Sequence, residues 1–259
     1  MTTRPSGPDY PWRLRIEHEG AMSLRLDRRG RAIRFDPQAP PTASDIVVLT
    51  HVWPEHLDAT REAVRQGVAP TVVAPQPILD WLRKEGTVHG HTAPITLDGV
   101  TIEQRTFTPI PYVTPREAVY KVQSAILRPD RAARRLLKRA EMPKAEPVVT
   151  RLGFPDGSHL VHASLALHTG TPEAWFQQLL ADWGQPEWLV LGVDHGHGSA
   201  VVPLVQQVGA THVLFTDLLS EMRRRLGFPT ELLTPIRDRA AALGLPADVF
   251  VSGAGLRYE

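Results

Sequence analysis

An α/β fold is predicted by three features of the sequence. Short runs that alternate apolar and polar residues, separated by Gly, Asp and Pro, fill the N-terminal part. A continuous apolar run, Ile46 to Leu49, then passes directly into helical periodicity, and the C-terminal third alternates helix and strand patterns. With 259 residues, 42% hydrophobic and 22% charged, the chain has globular composition, and one domain over residues 1–259 is expected, with an edge insertion at about 109–147.

Taken in order, the runs Leu14 to Ile16, Met22 to Leu26 and Ala32 to Phe35 read as antiparallel strands, the last closing on Asp36-Pro37. Asp27 to Gly30 supplies turn residues between the second and third. Ile46 to Leu49 suits a strand buried on both faces and ends at Thr50-His51. The pattern turns helical from Glu55 to Gln66, returns to strand at Thr71 to Val73 and to helix at about Pro77 to Lys84. Two more strands are expected around the Asp98-Gly99 turn, between Ile95 and Phe107. The insertion is Pro-rich and carries the basic segment RPDRAARRLLKRAEMPK, with Arg128, Arg131, Arg134, Arg135, Lys138 and Arg139 on one side and Ala132, Leu136 and Leu137 on the other. Strands resume near Val148 and at His159 to His162. Helix Pro172 to Trp183, strand Trp188 to Gly192, helix Ala200 to Val208, strand His212 to Phe215, helices from about Leu218 and Glu231, and a strand at Val249 to Val251 complete the reading.

Several chemistries are excluded. Without cysteine there are no disulfides, zinc–thiolate sites, iron–sulfur clusters or cysteine nucleophile, so any metal relies on His and carboxylates. A net charge of +1 and the absence of aromatic interleaving in the basic segment give no expectation of nucleic acid binding. No apolar run reaches the roughly 18 residues of a membrane span, and the first twenty residues hold no signal-peptide core, so a cytoplasmic location is expected. Phosphate-loop, dinucleotide and Gly-x-Ser-x-Gly patterns are all missing.

The chemistry-bearing stretch is ASDIVVLTHVWPEHLDATREAV. It places His51, Glu55, His56 and Asp58 within eight residues, across the turn from a buried strand into a helix, where α/β folds gather their sites. A second dense group, Val193-Asp194-His195-Gly196-His197-Gly198, follows the strand ending at Gly192; its glycines let backbone approach a ligand closely.

On Asp36-Pro37 followed by Thr50-His51-Val52-Trp53-Pro54-Glu55-His56, the chain resembles the metallo-β-lactamase superfamily, whose hallmark is Thr-His-x-His-x-Asp-His after a hydrophobic strand. The order of elements from about Leu14 to Val251 fits as well. The resemblance implies a four-layer αβ/βα sandwich, two mixed β-sheets face to face with helices outside and a site at one edge of the sheets. It matches His51 and His56 to the first and last motif histidines and Glu55 to the motif Asp, which also positions the attacking water. The second histidine is Trp53, whose indole N–H has no lone pair to offer a cation. Histidine is absent from TFTPIPYVTP, where another family ligand would fall. His162-Ala163-Ser164-Leu165 stands where the family has its bridging Asp, and Thr216-Asp217 replaces the last family histidine.

The usual two-zinc centre is therefore not expected. In its place the resemblance implies an altered or mononuclear site for one divalent metal (Zn, Mn or Fe), drawn from His51, His56, His195, His197 and Asp217, with Glu55 and Asp194 as the carboxylates that orient or deprotonate water. The activity implied is hydrolysis of an ester, amide or phosphodiester. The alternative is a metal-free pseudoenzyme, a binding or scaffolding module in which Trp53 packs into the space of the missing ligand and the insertion meets a protein partner. Plain structural roles are open for each residue: loop hydrogen bonds for His51 and His56, a helix-dipole contact for Glu55, a core or surface place for His162 and His168.

Overall fold

A computed structural model describes residues 15–20, 23–28, 31–107, 141–164, 173–193 and 205–217, six helical positions between 122 and 140, and short stretches between 238 and 258. The first sheet is built from β1 (Arg15–Gly20), β2 (Ser23–Arg28), β3 (Arg31–Phe35), β4 (Ile46–Val48), β5 (Thr71–Val73) and β6 (His89–His91). The second contains β7 (Ile95–Leu97), β8 (Val100–Thr106), β9 (Val148–Gly153), β10 (His159–Ser164), β11 (Trp188–Val193), β12 (His212–Asp217) and β13 (Ala247–Val249). A short β14 (Arg257–Tyr258) returns to the first sheet.

Among the described residues each sheet has seven strands and is mixed. In the first, the order is β14-β1-β2-β3-β4-β5-β6, antiparallel as far as β3 and parallel from β3 to β6. In the second, β13-β12-β11-β10 is parallel and β10-β9-β8-β7 antiparallel. Between the sheets, Leu24, Ile33, Phe35 and Val48 of one meet Val100, Ile102, Leu160 and Leu214 of the other. Alternate residues point outward: Val47, Leu49 and Val72 pack under α1 (Pro54–Arg65) and α2 (Gln76–Arg83), while Val161, Leu189 and Val213 pack under α3 (Glu173–Trp183). Strands buried on both faces explain why these segments read as continuous apolar runs. This is the four-layer sandwich with two mixed sheets that the family resemblance implies.

Helix α1 begins on Pro54, whose missing N–H costs nothing at the first helical position, and closes in a Schellman motif on Gly67. There the Val68 N–H donates to Ala63 O at 3.0 Å and the Gly67 N–H to Val64 O at 3.0 Å; the positive φ of 84° favours glycine. Strand β6 is absent from the sequence reading because His89-Gly90-His91 has neither alternation nor apolar bulk; it forms by backbone pairing to β5 at the sheet edge. In the insertion, Val122, Ile126 and Leu137 are helical and exposed; Ala132 and Leu136, the other residues of the expected apolar side, lie outside the described residues.

Candidate metal centre

The site grows from the parallel pairing of β3 with β4. Register pairs Phe35 with Val48, so both strands end at the same level and deliver Asp36 beside Thr50 and His51. The Asp36 N–H donates to Val48 O at 3.0 Å, which continues the ladder by one bond, and the residue then leaves the sheet with φ of 42°. Left-handed backbone is uncommon outside glycine, and Asp is among the residues that tolerate it. Strain held at a buried, hydrogen-bonded acid is the pattern found where a side chain must be aimed.

Thr50 is the hub. Its N–H donates to Asp36 Oδ1 at 2.9 Å, and its hydroxyl donates to Asp36 Oδ2. The same hydroxyl oxygen lies 2.8 Å from His51 Nδ1. A threonine hydroxyl has one proton, and here it is spent on the carboxylate, so His51 Nδ1 is the donor in that contact. Neutral His51 is thereby fixed as the Nδ1–H tautomer, with the ring lone pair on Nε2.

His56 sits on the first turn of α1, its N–H donating to Trp53 O at 2.9 Å. Its Nδ1 lies 3.0 Å from Asp36 Oδ2, within ion-pair reach but off the line of a well-aligned hydrogen bond. The rings of His51 and His56 stack with centroids 5.1 Å apart and an interplanar angle of 29°. Asp36, His51 and His56 are all buried, and one ligand atom from each falls within a common span of 4.8 Å.

Electrostatics set the charge states. Burial pushes His51 down from 6.5 to about 3, helped by the positive charge His56 can carry and by His162, and opposed by Asp36. His51 is therefore neutral across the physiological range, the form in which imidazole binds metals. Burial by itself would raise Asp36, but His56, His51 and the Thr50 hydroxyl outweigh it and hold the carboxyl below its ordinary value. A buried anion beside the neutral His51 imidazole suits a cation, because an isolated buried charge is costly.

Around this triad, Trp53 tilts against His51 at 5.6 Å and meets His56 edge-on at 5.9 Å between ring centroids. Phe107, within the TFTPIPYVTP stretch that lacks the family's histidine, closes a third side, edge-on to His51 at 6.3 Å. His162 is buried in β10 and stacked 4.5 Å from Phe35; it stands outside the convergent triad but close enough to oppose a charge on His51.

Of the residues singled out from sequence, His51 and His56 come together. Glu55 lies in the first turn of α1 and Asp217 ends β12, but their side chains fall outside the described atoms, and Asp194, His195 and His197 lie outside the described residues. Asp36 was read as the close of a strand and as half of the Asp-Pro element of the resemblance, not as a site residue. The available signal was an Asp-Pro step at a strand end, one short connection before a parallel strand ending in histidine.

Solved structures with the same architecture include Igni18, a metallo hydrolase from the archaeon Ignicoccus hospitalis, at a TM-score of 0.57 and 15% identity over 95% of this chain and 98% of that one. CmlA, a diiron β-hydroxylase from Streptomyces venezuelae, aligns at a TM-score of 0.60 and 12% identity over 96% of this chain, which spans about half (55%) of that protein. Tm1679, a metal-dependent hydrolase of the β-lactamase superfamily, aligns at 0.53 and 11% identity over 95% of this chain and 99% of its own. The chain has the metallo-β-lactamase fold. No family model and no curated protein matches its sequence.

Proposed function

We propose that this protein is a metal-dependent hydrolase that holds one divalent cation (zinc, manganese or iron) through His51 and His56 and cleaves an ester, amide or phosphodiester. The observation that carries the reading is the buried convergence of Asp36, His51 and His56, with His51 neutral and its Nδ1–H committed to Thr50. Both Nδ1 atoms face the Asp36–Thr50 side, so ligation falls to the Nε2 atoms, and Asp36 acts as the carboxylate that orients the rings.

Further ligands come, in this proposal, from Asp217 and the Asp194-His195-Gly196-His197 loop. Val148, the first residue of β9, donates its N–H to Thr50 O at 2.9 Å. β10 runs antiparallel to β9, and β11 and β12 run parallel to β10, so all three end on the Thr50 side, with Val193 opposite Asp217. A bound cation supplies Lewis acidity toward the scissile group and lowers the pKa of the attacking water. Glu55 or Asp194 would accept that water's proton, a role that needs a carboxylate within hydrogen-bond reach.

Elemental analysis of protein purified without added metal tests the proposal. Near-stoichiometric metal, lost in His51→Ala, supports it; a folded, metal-free wild type refutes it. The second reading, a metal-free binding module, is favoured by Trp53 packing against both histidine rings, and that refuting result would establish it as the working account.

A further inference from the structure

A pocket of about 510 Å³ opens beside Trp53, within the size range of small-molecule sites. Val52 and Trp53, from the loop between the two histidines, form one wall, and Met142, Pro143 and Ala145 form the other. We propose that it is a binding subsite for a short aliphatic chain bearing a carboxylate, separated from the metal centre by the indole of Trp53. This deepens the hydrolase reading, and rests on it only for the claim that the ligand is substrate.

The second wall is a strap held at both ends. Glu141 accepts a hydrogen bond from Trp81 Nε1 at 2.8 Å through its backbone oxygen, while Arg61 lies 4.8 Å over the Trp81 ring and 3.6 Å from the Glu141 carboxylate. At the other end the Val148 N–H donates to Thr50 O and the Phe107 N–H to Pro147 O, at 2.9 and 3.0 Å. Met142 is buried in the apolar cluster that includes Val47, Leu49 and Leu57, against which Val52 and Ala145 also pack. The wall is thus preformed, and a ligand need not order it on binding. Thr50, the hub that holds Asp36 and His51, also anchors the strap, so pocket and metal centre share one rigid support.

Chemistry at the mouth sets the ligand class. The lining is aliphatic apart from the indole, which suits an alkyl chain. Two charged residues stand at the rim, both exposed: Glu146 has a contact of its own, whereas Lys144 forms no ion pair with an acid among the described residues. An apolar slot whose mouth carries a lysine unpaired among the described residues complements an amphiphilic anion.

Methionine labelling reads this directly, because the chain has only 4 methionines and one of them lines the pocket. Protein labelled with ¹³C at the methionine methyls is titrated with octanoate and, separately, with the uncharged octanamide, the Met142 signal being assigned by its loss in Met142→Leu. The expected result is a saturable shift of Met142. Lys144→Gln should weaken octanoate about fivefold, the scale of a single rim ion pair, and leave octanamide unchanged. Ala145→Trp, which fills the slot, should abolish the shift for both. No saturable Met142 shift, a shift undiminished by Ala145→Trp, or equal octanoate affinity in Lys144→Gln overturns the proposal. Metal content is measured on the same samples: metal without a Met142 shift refutes only the pocket, and a shift without metal refutes only the hydrolase.

Discussion

Acidification of the metal-free protein should destabilise it through His51. The imidazole is buried, and folding lowers it from 6.5 to about 3, with His56 adding to the effect. The unfolded chain therefore takes up a proton below about 6.5 that the folded chain refuses, so stability from this group is complete above 6.5 and falls as pH drops toward 3. One proton of difference costs about 1.4 kcal/mol per pH unit, hence about 3 kcal/mol between neutrality and a pH of about 4, a large part of a typical folding free energy. Urea unfolding of chelator-treated protein at a series of pH values measures it. Other groups also titrate, so the comparison is with His51→Asn, whose amide keeps a donor to the Thr50 hydroxyl but takes up no proton. Wild type should lose about 3 kcal/mol more than the variant over that range. Parallel loss in the two proteins would refute the assignment of a buried, neutral His51.

Asp36→Asn removes the carboxylate that lies against His56 Nδ1 and holds the Thr50 hydroxyl under His51, and metal affinity in a chelator competition should fall roughly 10- to 100-fold, as for other ligand-orienting carboxylates; complete loss would make Asp36 a ligand itself. Thr50→Val leaves the His51 Nδ1–H unpartnered by the hydroxyl and Asp36 short of one donor, and thermal or urea unfolding should show a loss of roughly 2–4 kcal/mol. Arg34 is buried against Asp45 at 3.4 Å and also donates to Ala39 O at 3.1 Å, so Arg34→Met should cost about 3–5 kcal/mol by leaving Asp45 buried and unpaired, with much of that recovered in the Arg34→Met, Asp45→Leu double variant. Trp81→Phe deletes the bond to Glu141 O at one end of the strap and should cost about 1 kcal/mol, with a broadened Met142 methyl signal as the local readout.

The apolar periodicity of single segments was enough to locate most elements near the site. Ile46 to Leu49 had to be a strand with both faces covered, and helix α1 had to begin where Pro54 suits a first turn. His51 and His56 were legible for the same local reason: five residues apart, across a strand-to-helix turn, they could only sit at a strand end. Where the chain has no side-chain pattern to read, as at β6 and β14, pairing at a sheet edge makes the strand, and that is decided by the neighbouring strand rather than by the segment.

The centre itself is a product of tertiary structure. Asp36 lies 14 residues from Thr50, at the end of another strand, and its Asp-Pro step carries part of the resemblance without marking the side chain as part of the site. Parallel pairing of β3 and β4 in register brings both strand ends to one level, and this turns an Asp-Pro step into the carboxylate beneath two histidines. Burial then sets the protonation of His51 and commits its Nδ1–H to Thr50, which no residue count could have specified. Trp53 shows the division most clearly. Its identity alone removed it from the ligand set, since an indole N–H has no lone pair for a metal. Its place between the histidines and a preformed pocket depends on residues 142–146, nearly a hundred positions along the chain, held there by hydrogen bonds to Trp81 and Thr50. Local spacing determines secondary structure and donor chemistry because those depend on near neighbours; convergence, charge state and cavity shape depend on distant segments meeting, and only the packed fold supplies them.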